Sequence, residues 1–210
     1  MKFRAGQTLL FIGDSITDCG RLRPVGERAG LGEGYVAFVD SLISTRHPEC
    51  PLRVLNTGIS GNRILDLKDR WQGDVLDLRP DWLSVMIGIN DVWRLFDDPL
   101  RPVQVSLEQF ESLYRELLRR TRPTLKGLVL MPPYYIEAHR NDPMRARMDQ
   151  YGAVVRKLAG EFDAVYADVQ ASFDAWLVHR PTQSLCGDRV HPNKTGHMII
   201  AETFYRAVTA

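Results

Sequence analysis

The sequence predicts an α/β architecture: a five-stranded parallel sheet covered by helices on both faces, a three-layer α/β/α sandwich formed by residues 1–210 as one domain. Two observations predict it. Five short apolar runs alternate with helical patterns of about 10–20 residues, the signature of strands joined by crossover helices. Three of those runs also empty into clusters of small and polar residues, as strands do at the carboxyl edge of such a sheet. No internal repeat, low-complexity tract or linker divides the chain.

Leu9, Leu10, Phe11 and Ile12 read as a strand buried on both faces. They run into Gly13-Asp14-Ser15, where Gly13 tolerates angles other residues avoid and the turn delivers the Ser15 hydroxyl to the sheet edge. Taken alone, the same turn also fits Ser15 or Asp14 capping the next segment. Residues 20–34, with Pro24, Gly26, Gly30, Gly32 and Gly34, read as a loop. A helix over 35–44 follows, with Tyr35, Phe38, Val39, Leu42 and Ile43 on one face. Residues 52–55 form the second strand, which ends in Asn56-Thr57-Gly58-Ile59-Ser60-Gly61-Asn62.

A helical stretch opens at Ile64, passes Trp71 and breaks at Arg79-Pro80-Asp81. Residues 82–87 make the third strand, with Gly88-Ile89-Asn90-Asp91 as its outlet, and Pro99 and Pro102 mark a second loop. Ser106 caps an amphipathic helix carrying Phe110, Leu113, Tyr114, Leu117 and Leu118, with Glu108 and Gln109 near capping-box positions. The fourth strand, 128–131, stops at Pro132-Pro133. A helix over about 143–162 leads to a fifth strand at 164–167, and another helix covers about 170–179. Thr195 is expected to cap the last helix, which bears Met198, Ile199, Ile200, Phe204 and Val208.

With 44% hydrophobic and 25% charged residues the composition is that of a globular protein. A net charge of +1 supplies no field to draw nucleic acid or an anionic membrane. The arginines are scattered, and Arg119-Arg120 and Arg145/Arg147 read as solvated helix faces. The N-terminal residues lead into a run of only four apolar residues before Gly13, short of the roughly 7–15 of a secretory core segment, and no window approaches the ~18 of a membrane span. A cytoplasmic protein is expected. Cys19, Cys50 and Cys186 are odd in number, far apart and without metal-ligand spacing, so free thiols are expected and no metal. His47 and Cys50 form at most a lone pair. With no Gly-x-Gly-x-x-Gly or Walker-type sequence, nucleotide binding has no support and no cofactor is expected.

If the first three strands are parallel neighbours, Ser15, the 58–62 cluster and Asn90 meet at one edge. Near the end of the chain, Asp188-Arg189-Val190-His191-Pro192-Asn193 sets a carboxylate three residues before an imidazole. A serine hydroxyl needs a base to become a nucleophile, and a histidine serves near neutral pH if a carboxylate holds its other nitrogen. The oxyanion formed by attack on an ester needs preplaced donors, which the Ser15 and Gly61 N–H groups and the Asn90 amide could supply. His197 is the nearest rival base, but it lies inside the last helix pattern; His47, His139 and His179 read as surface residues. Cys19 and Cys186 fall near these motifs and are given no nucleophilic role.

Gly-Asp-Ser after the first strand, a glycine loop after the second, Gly-x-Asn-Asp after the third and Asp-x-x-His-Pro near the end together resemble the SGNH (GDSL-type) hydrolases. All four blocks occur in order and span the chain. The resemblance implies a flavodoxin-like fold, Ser15 as nucleophile, His191 with Asp188 as base and orienter, and Ser15, Gly61 and Asn90 as the oxyanion hole. Asn56-Thr57-Gly58-Ile59-Ser60-Gly61 matches the family's Asn-x-Gly-x-x-Gly with Gly61 as donor, although Gly58 can be argued for.

Residues 10–21, 87–94, 142–145, 148–152 and 188–192 are most similar to one branch, the bacterial intracellular acetylxylan (acetyl-xylooligosaccharide) esterases. Gly187 departs from that branch, which carries an aromatic residue there. The expectation is a serine esterase that removes acetyl groups from a small acylated carbohydrate. The rivals are a broad arylesterase, thioesterase or lysophospholipase, or a non-catalytic carbohydrate-binding relative. Asp14, Trp93, Arg94, Tyr134 and Tyr135 are the candidate substrate contacts, and a homo-oligomer is left open.

Overall fold

The computed structural model describes residues 1–98 and 104–210. Its strands are β1 (Thr8–Gly13), β2 (Gly26–Glu27), β3 (Arg53–Asn56), β4 (Trp82–Met86), β5 (Gly127–Met131) and β6 (Val165–Tyr166). They form one sheet in the order β2-β3-β1-β4-β5-β6. All neighbours run parallel except β2, which pairs antiparallel with β3. The expected five-stranded parallel sheet is therefore corrected to a six-stranded mixed one. The added strand is two residues inside the glycine-rich loop, too short for any hydrophobic alternation. Arg53 on β3 reaches back to Glu27 with two hydrogen bonds of 2.9 and 3.0 Å.

The helices are α1 (Ser15–Asp18), α2 (Tyr35–Arg46), α3 (Ile64–Trp71), α4 (Ile89–Asp97), α5 (Leu107–Thr121), α6 (Pro143–Glu161), α7 (Val169–Leu177) and α8 (Lys194–Thr209). Helices α2, α7 and α8 pack together on one side of the sheet, and α3 to α6 form the other layer. The central strand owes its place to its side chains: Leu9, Leu10, Phe11 and Ile12 are fully buried. Burying each contributes about 1.5–3 kcal/mol. The Phe11 ring meets Tyr35 of α2 edge-on at 5.7 Å and Phe204 of α8 at 5.1 Å, which fastens that layer to the sheet.

The ends of the elements follow local chemistry. Ser106 and Gln109 form the expected capping box on α5. The cap of α8 is Asn193 rather than Thr195, its side chain accepting from the N–H groups of Thr195 and Gly196. Past Trp71, α3 widens into a π-helical turn over Gln72–Leu76. Helix α4 has no counterpart in the sequence reading, which placed only a strand outlet there; its nine residues are too few for a repeated apolar pattern. The Pro99 and Pro102 loop lies outside the described residues. Arg145, expected on a solvated face, is instead 1% exposed, because Asp149, Asp174 and the Glu137 carbonyl engage its guanidinium. Among the described residues no helix is long and apolar enough to cross a membrane.

Candidate active site

Strand register sets the geometry at the carboxyl edge. Gly13, the last residue of β1, pairs with Met86, the last of β4, and Phe11 pairs with Asn56, the last of β3. The three motif clusters therefore leave the sheet side by side. Gly13 is required by packing: a Cβ there would sit 2.3 Å from the Met86 carbonyl oxygen and 2.4 Å from Thr17 Oγ1. Asp14 then caps α1 by accepting from the Ile16 N–H at 3.0 Å, and Ser15 becomes the first helical residue.

Ser15 Oγ lies 2.9 Å from His191 Nε2, and His191 Nδ1 lies 2.7 Å from Asp188 Oδ2. An ionised Asp188 only accepts, so Nδ1 carries the ring proton and Nε2 presents its lone pair to the Ser15 hydroxyl. Asp188 Oδ1 accepts from the N–H groups of His191 and Val190 at 2.8 and 2.9 Å. Partial burial opposes ionisation of Asp188, but the bonds from His191 and Val190 outweigh it and hold the carboxyl below its ordinary value. The chain carrying this pair is tied to the segment after β5. The Ile136 N–H donates to the Arg189 carbonyl at 2.9 Å, and the Tyr134 hydroxyl donates to the Val190 carbonyl at 3.1 Å.

Opposite the histidine lie the expected oxyanion donors. Among the described residues no acceptor engages the N–H of Ser15 or of Gly61. The Gly58 N–H, by contrast, is engaged at 2.9 Å by the Asn56 side chain. Gly61 is exposed, and its φ of +80° is one that glycine adopts without strain. Asn90 sits in the first turn of α4 and donates one amide hydrogen to the Asn62 carbonyl at 3.1 Å. The glycine loop is held from below as well: Asp18 Oδ2 accepts from both the N–H and the hydroxyl of Ser60 at 3.0 Å.

Two buried carboxyls underlie this side. Asp14 and Asp91 are 1% and 2% exposed. Burial pushes each up to about 7, against the opposing pull of the Ile16 N–H on Asp14 and of the Ile64 N–H on Asp91. Asp91, which received no role in the sequence reading, fixes the start of α3 by placing both oxygens 3.2 and 3.3 Å from the Ile64 nitrogen. Its only signal was its place beside Asn90.

The candidate substrate contacts separate. Trp93 stands with its ring 5.5 Å from that of His191. Trp93 and Tyr135 both border a cavity of about 450 Å³ that also includes Phe96, Met144, Asp188 and Arg189. Arg94 lies over the Trp93 ring and pairs with Asp97. Tyr134 and Asp14 are buried and bonded within the protein, so they support the site and offer no surface to a ligand. A Cβ at Gly187 would meet nothing within 4 Å among the described residues. A larger groove, about 580 Å³, borders α6 and α7 and holds none of the motif residues.

His197 has a different environment. It accepts from the Tyr35 N–H at Nδ1 and so turns a protonated Nε2 towards Cys19 Sγ, 3.6 Å away. Burial, and then the charge of His191, push it down to about 4. The thiols of Cys19 and Cys186 are raised by burial and remain protonated at neutral pH.

The sequence matches the GDSL-like lipase/acylhydrolase family over residues 11–199. It is 50% identical to an acetylxylan esterase of Geobacillus stearothermophilus over 99% of this chain and 96% of that protein. The crystal structure of Axe2, an acetylxylan esterase from the same organism, superposes with a TM-score of 0.98 at 50% identity, covering 100% of this chain and 97% of that one. LAE5, an α/β hydrolase from the metagenome of Lake Arreo, superposes with a TM-score of 0.97 at 47% identity, covering 100% and 98%. Among the matching Axe2 structures are catalytic mutants in which a serine, an aspartate or a histidine is replaced by alanine.

Proposed function

Because the chain belongs to the GDSL-like lipase/acylhydrolase family, we propose that it removes acetyl groups from xylo-oligosaccharides through an acyl-enzyme on Ser15. It is a carboxylic ester hydrolase. The observation that carries the mechanism is the Ser15–His191–Asp188 chain of short hydrogen bonds.

In the first half-reaction His191 Nε2 takes the Ser15 proton as Oγ attacks the ester carbonyl. Asp188 stabilises the imidazolium and keeps the ring oriented. The oxyanion meets the N–H groups of Ser15 and Gly61 and the second amide hydrogen of Asn90. The sugar oxygen leaves with the proton from His191, and Ser15 is left acetylated. Water then repeats the attack, deprotonated by His191, and acetate departs as Ser15 recovers its proton.

The cavity beside the triad favours a sugar as the leaving side. Trp93, Phe96 and Tyr135 line it together with the carboxylates Asp97 and Asp142, and aromatic rings with polar groups suit a carbohydrate. A small acylated carbohydrate is the only partner this reading needs. A reducing, cytoplasmic setting accords with the three unpaired thiols. Turnover of p-nitrophenyl acetate against the octanoate, followed by acetate release from acetylated xylo-oligosaccharides, tests the proposal. Acetyl esters should be cleaved much faster than octanoyl ones. A kcat/KM that climbs steadily with acyl length would favour a lipase or thioesterase.

A further inference from the structure

We propose that Arg70, on α3, is a positioning residue for the oxyanion donors, clamping the turn that carries Ser15 to the loop that carries Gly61. The inference rests on the ester-hydrolase reading of the site.

The guanidinium is mostly buried, with 15% of its side-chain surface exposed. Each of its three nitrogens has a separate task. Nη2 donates to the Gly13 carbonyl at 3.0 Å, at the end of β1. Nη1 donates to the Thr57 carbonyl at 2.6 Å, where the glycine loop begins, and to Asp74 Oδ2 at 2.6 Å. Nε donates to the Asn62 side-chain oxygen at 2.7 Å, where that loop ends. Asn62 in turn accepts from the Asn90 amide through its backbone carbonyl. One rigid fork therefore reaches the turn of the nucleophile, both ends of the Gly61 loop and, through Asn62, the third donor.

The arrangement cannot be carried by a lysine. An ammonium is a compact point charge, whereas these acceptors lie around a planar group in several directions. Burial lowers the pKa of Arg70 and the Asp74 carboxylate opposes that fall. Gly61 itself needs the external hold, since even a Cβ built on it would meet nothing within 4 Å among the described residues. Misplacing such donors by about 1 Å can cost on the order of 10²-fold in rate.

The test compares Arg70→Lys, Arg70→Met and Asn62→Ala on p-nitrophenyl acetate, with melting temperatures measured alongside. Losing alignment of donors felt only in the transition state should lower kcat about 10–100-fold and leave KM within about twofold. In the Arg70→Lys/Asn90→Ala double variant the two losses should fall short of their product, because both act on one donor set. If Arg70→Met does not fold, Arg70→Lys and Asn62→Ala still decide the question. Wild-type kcat in folded Arg70→Lys and Asn62→Ala overturns the inference and leaves the esterase reading intact, as does a raised KM at unchanged kcat. Losses that multiply fully in the double variant assign Arg70 to general stability instead. A wild-type protein without esterase activity overturns both.

Discussion

Three aspartates around the site bear the same functional group and titrate in opposite directions. Asp14 and Asp91, beneath the nucleophile and the oxyanion donors, are almost wholly buried and are pushed up to about 7. Asp188, on the histidine side, has 41% of its side chain exposed and is held below its ordinary value by the His191 and Val190 hydrogen bonds, despite the opposing effect of partial burial. The buried half of the site is built where strands end, so the core holds its backbone in place and Asp14 and Asp91 act there as hydrogen-bond acceptors. The exposed half is a loop, and it needs an ionised carboxylate for its chemistry. In the proposed mechanism the dry side provides positioning and the wet side proton transfer.

The comparison breaks first if Ser15 is not the reacting group at the junction of the halves. Ser15→Ala should reduce ester hydrolysis by about 10⁶-fold, as loss of a triad nucleophile does elsewhere, with the melting temperature little changed. Near-wild-type turnover in the purified variant would end the assignment. On the wet side, Asp188→Asn should lower kcat by about 10⁴-fold, because the amide no longer stabilises the imidazolium or enforces its tautomer. Unaltered activity across a pH titration would mean that another group orients His191.

On the dry side a smaller loss is expected. Asn90→Ala removes one oxyanion donor of three and should cost about 10²–10³ in kcat with KM little affected. A raised KM with unaltered kcat would make Asn90 a substrate contact.

The smallest effect sharpens the contrast through stability. A carboxyl raised from an ordinary value near 3.8 to about 7 binds its proton more tightly in the folded chain, so stability declines as pH rises from about 4 to about 7 and is flat above. Asp91→Asn, which can still accept from the Ile64 N–H, should remove that group's share of the decline. By urea unfolding the variant should gain ~1–3 kcal/mol over the wild type at pH 8 and nothing near pH 4. A gain independent of pH would show that Asp91 is not the titrating group.

Both halves left traces in the sequence of unequal depth. Gly13-Asp14-Ser15, Asn90-Asp91 and Asp188 to His191 are contiguous blocks at strand or helix ends, where residue type alone signals chemistry. Trp93, Tyr135 and Tyr134 were singled out in the same way, by closeness to those blocks, but only Trp93 and Tyr135 border the cavity, while Tyr134 turns into the core. Arg70 left no trace: it sits within a helical pattern, and only the fold brings its fork to Gly13, Thr57 and Asn62. Arg145 was misread for a related reason, since partners at positions 137 and 174 cannot be seen from the helix that carries it.

The sequence by itself determined the layers, the central strand and the motifs that carry Ser15, Asp188 and His191, because runs of buried apolar residues and short polar motifs are local properties that survive reading in one dimension. The tertiary structure alone decided the antiparallel edge strand at Gly26–Glu27, the helix that receives Asn90, the engagement of the Gly58 N–H by Asn56, and the raised carboxyls of Asp14 and Asp91. Each of these depends on what lies across space from a residue: a hydrogen-bond partner, or the absence of water.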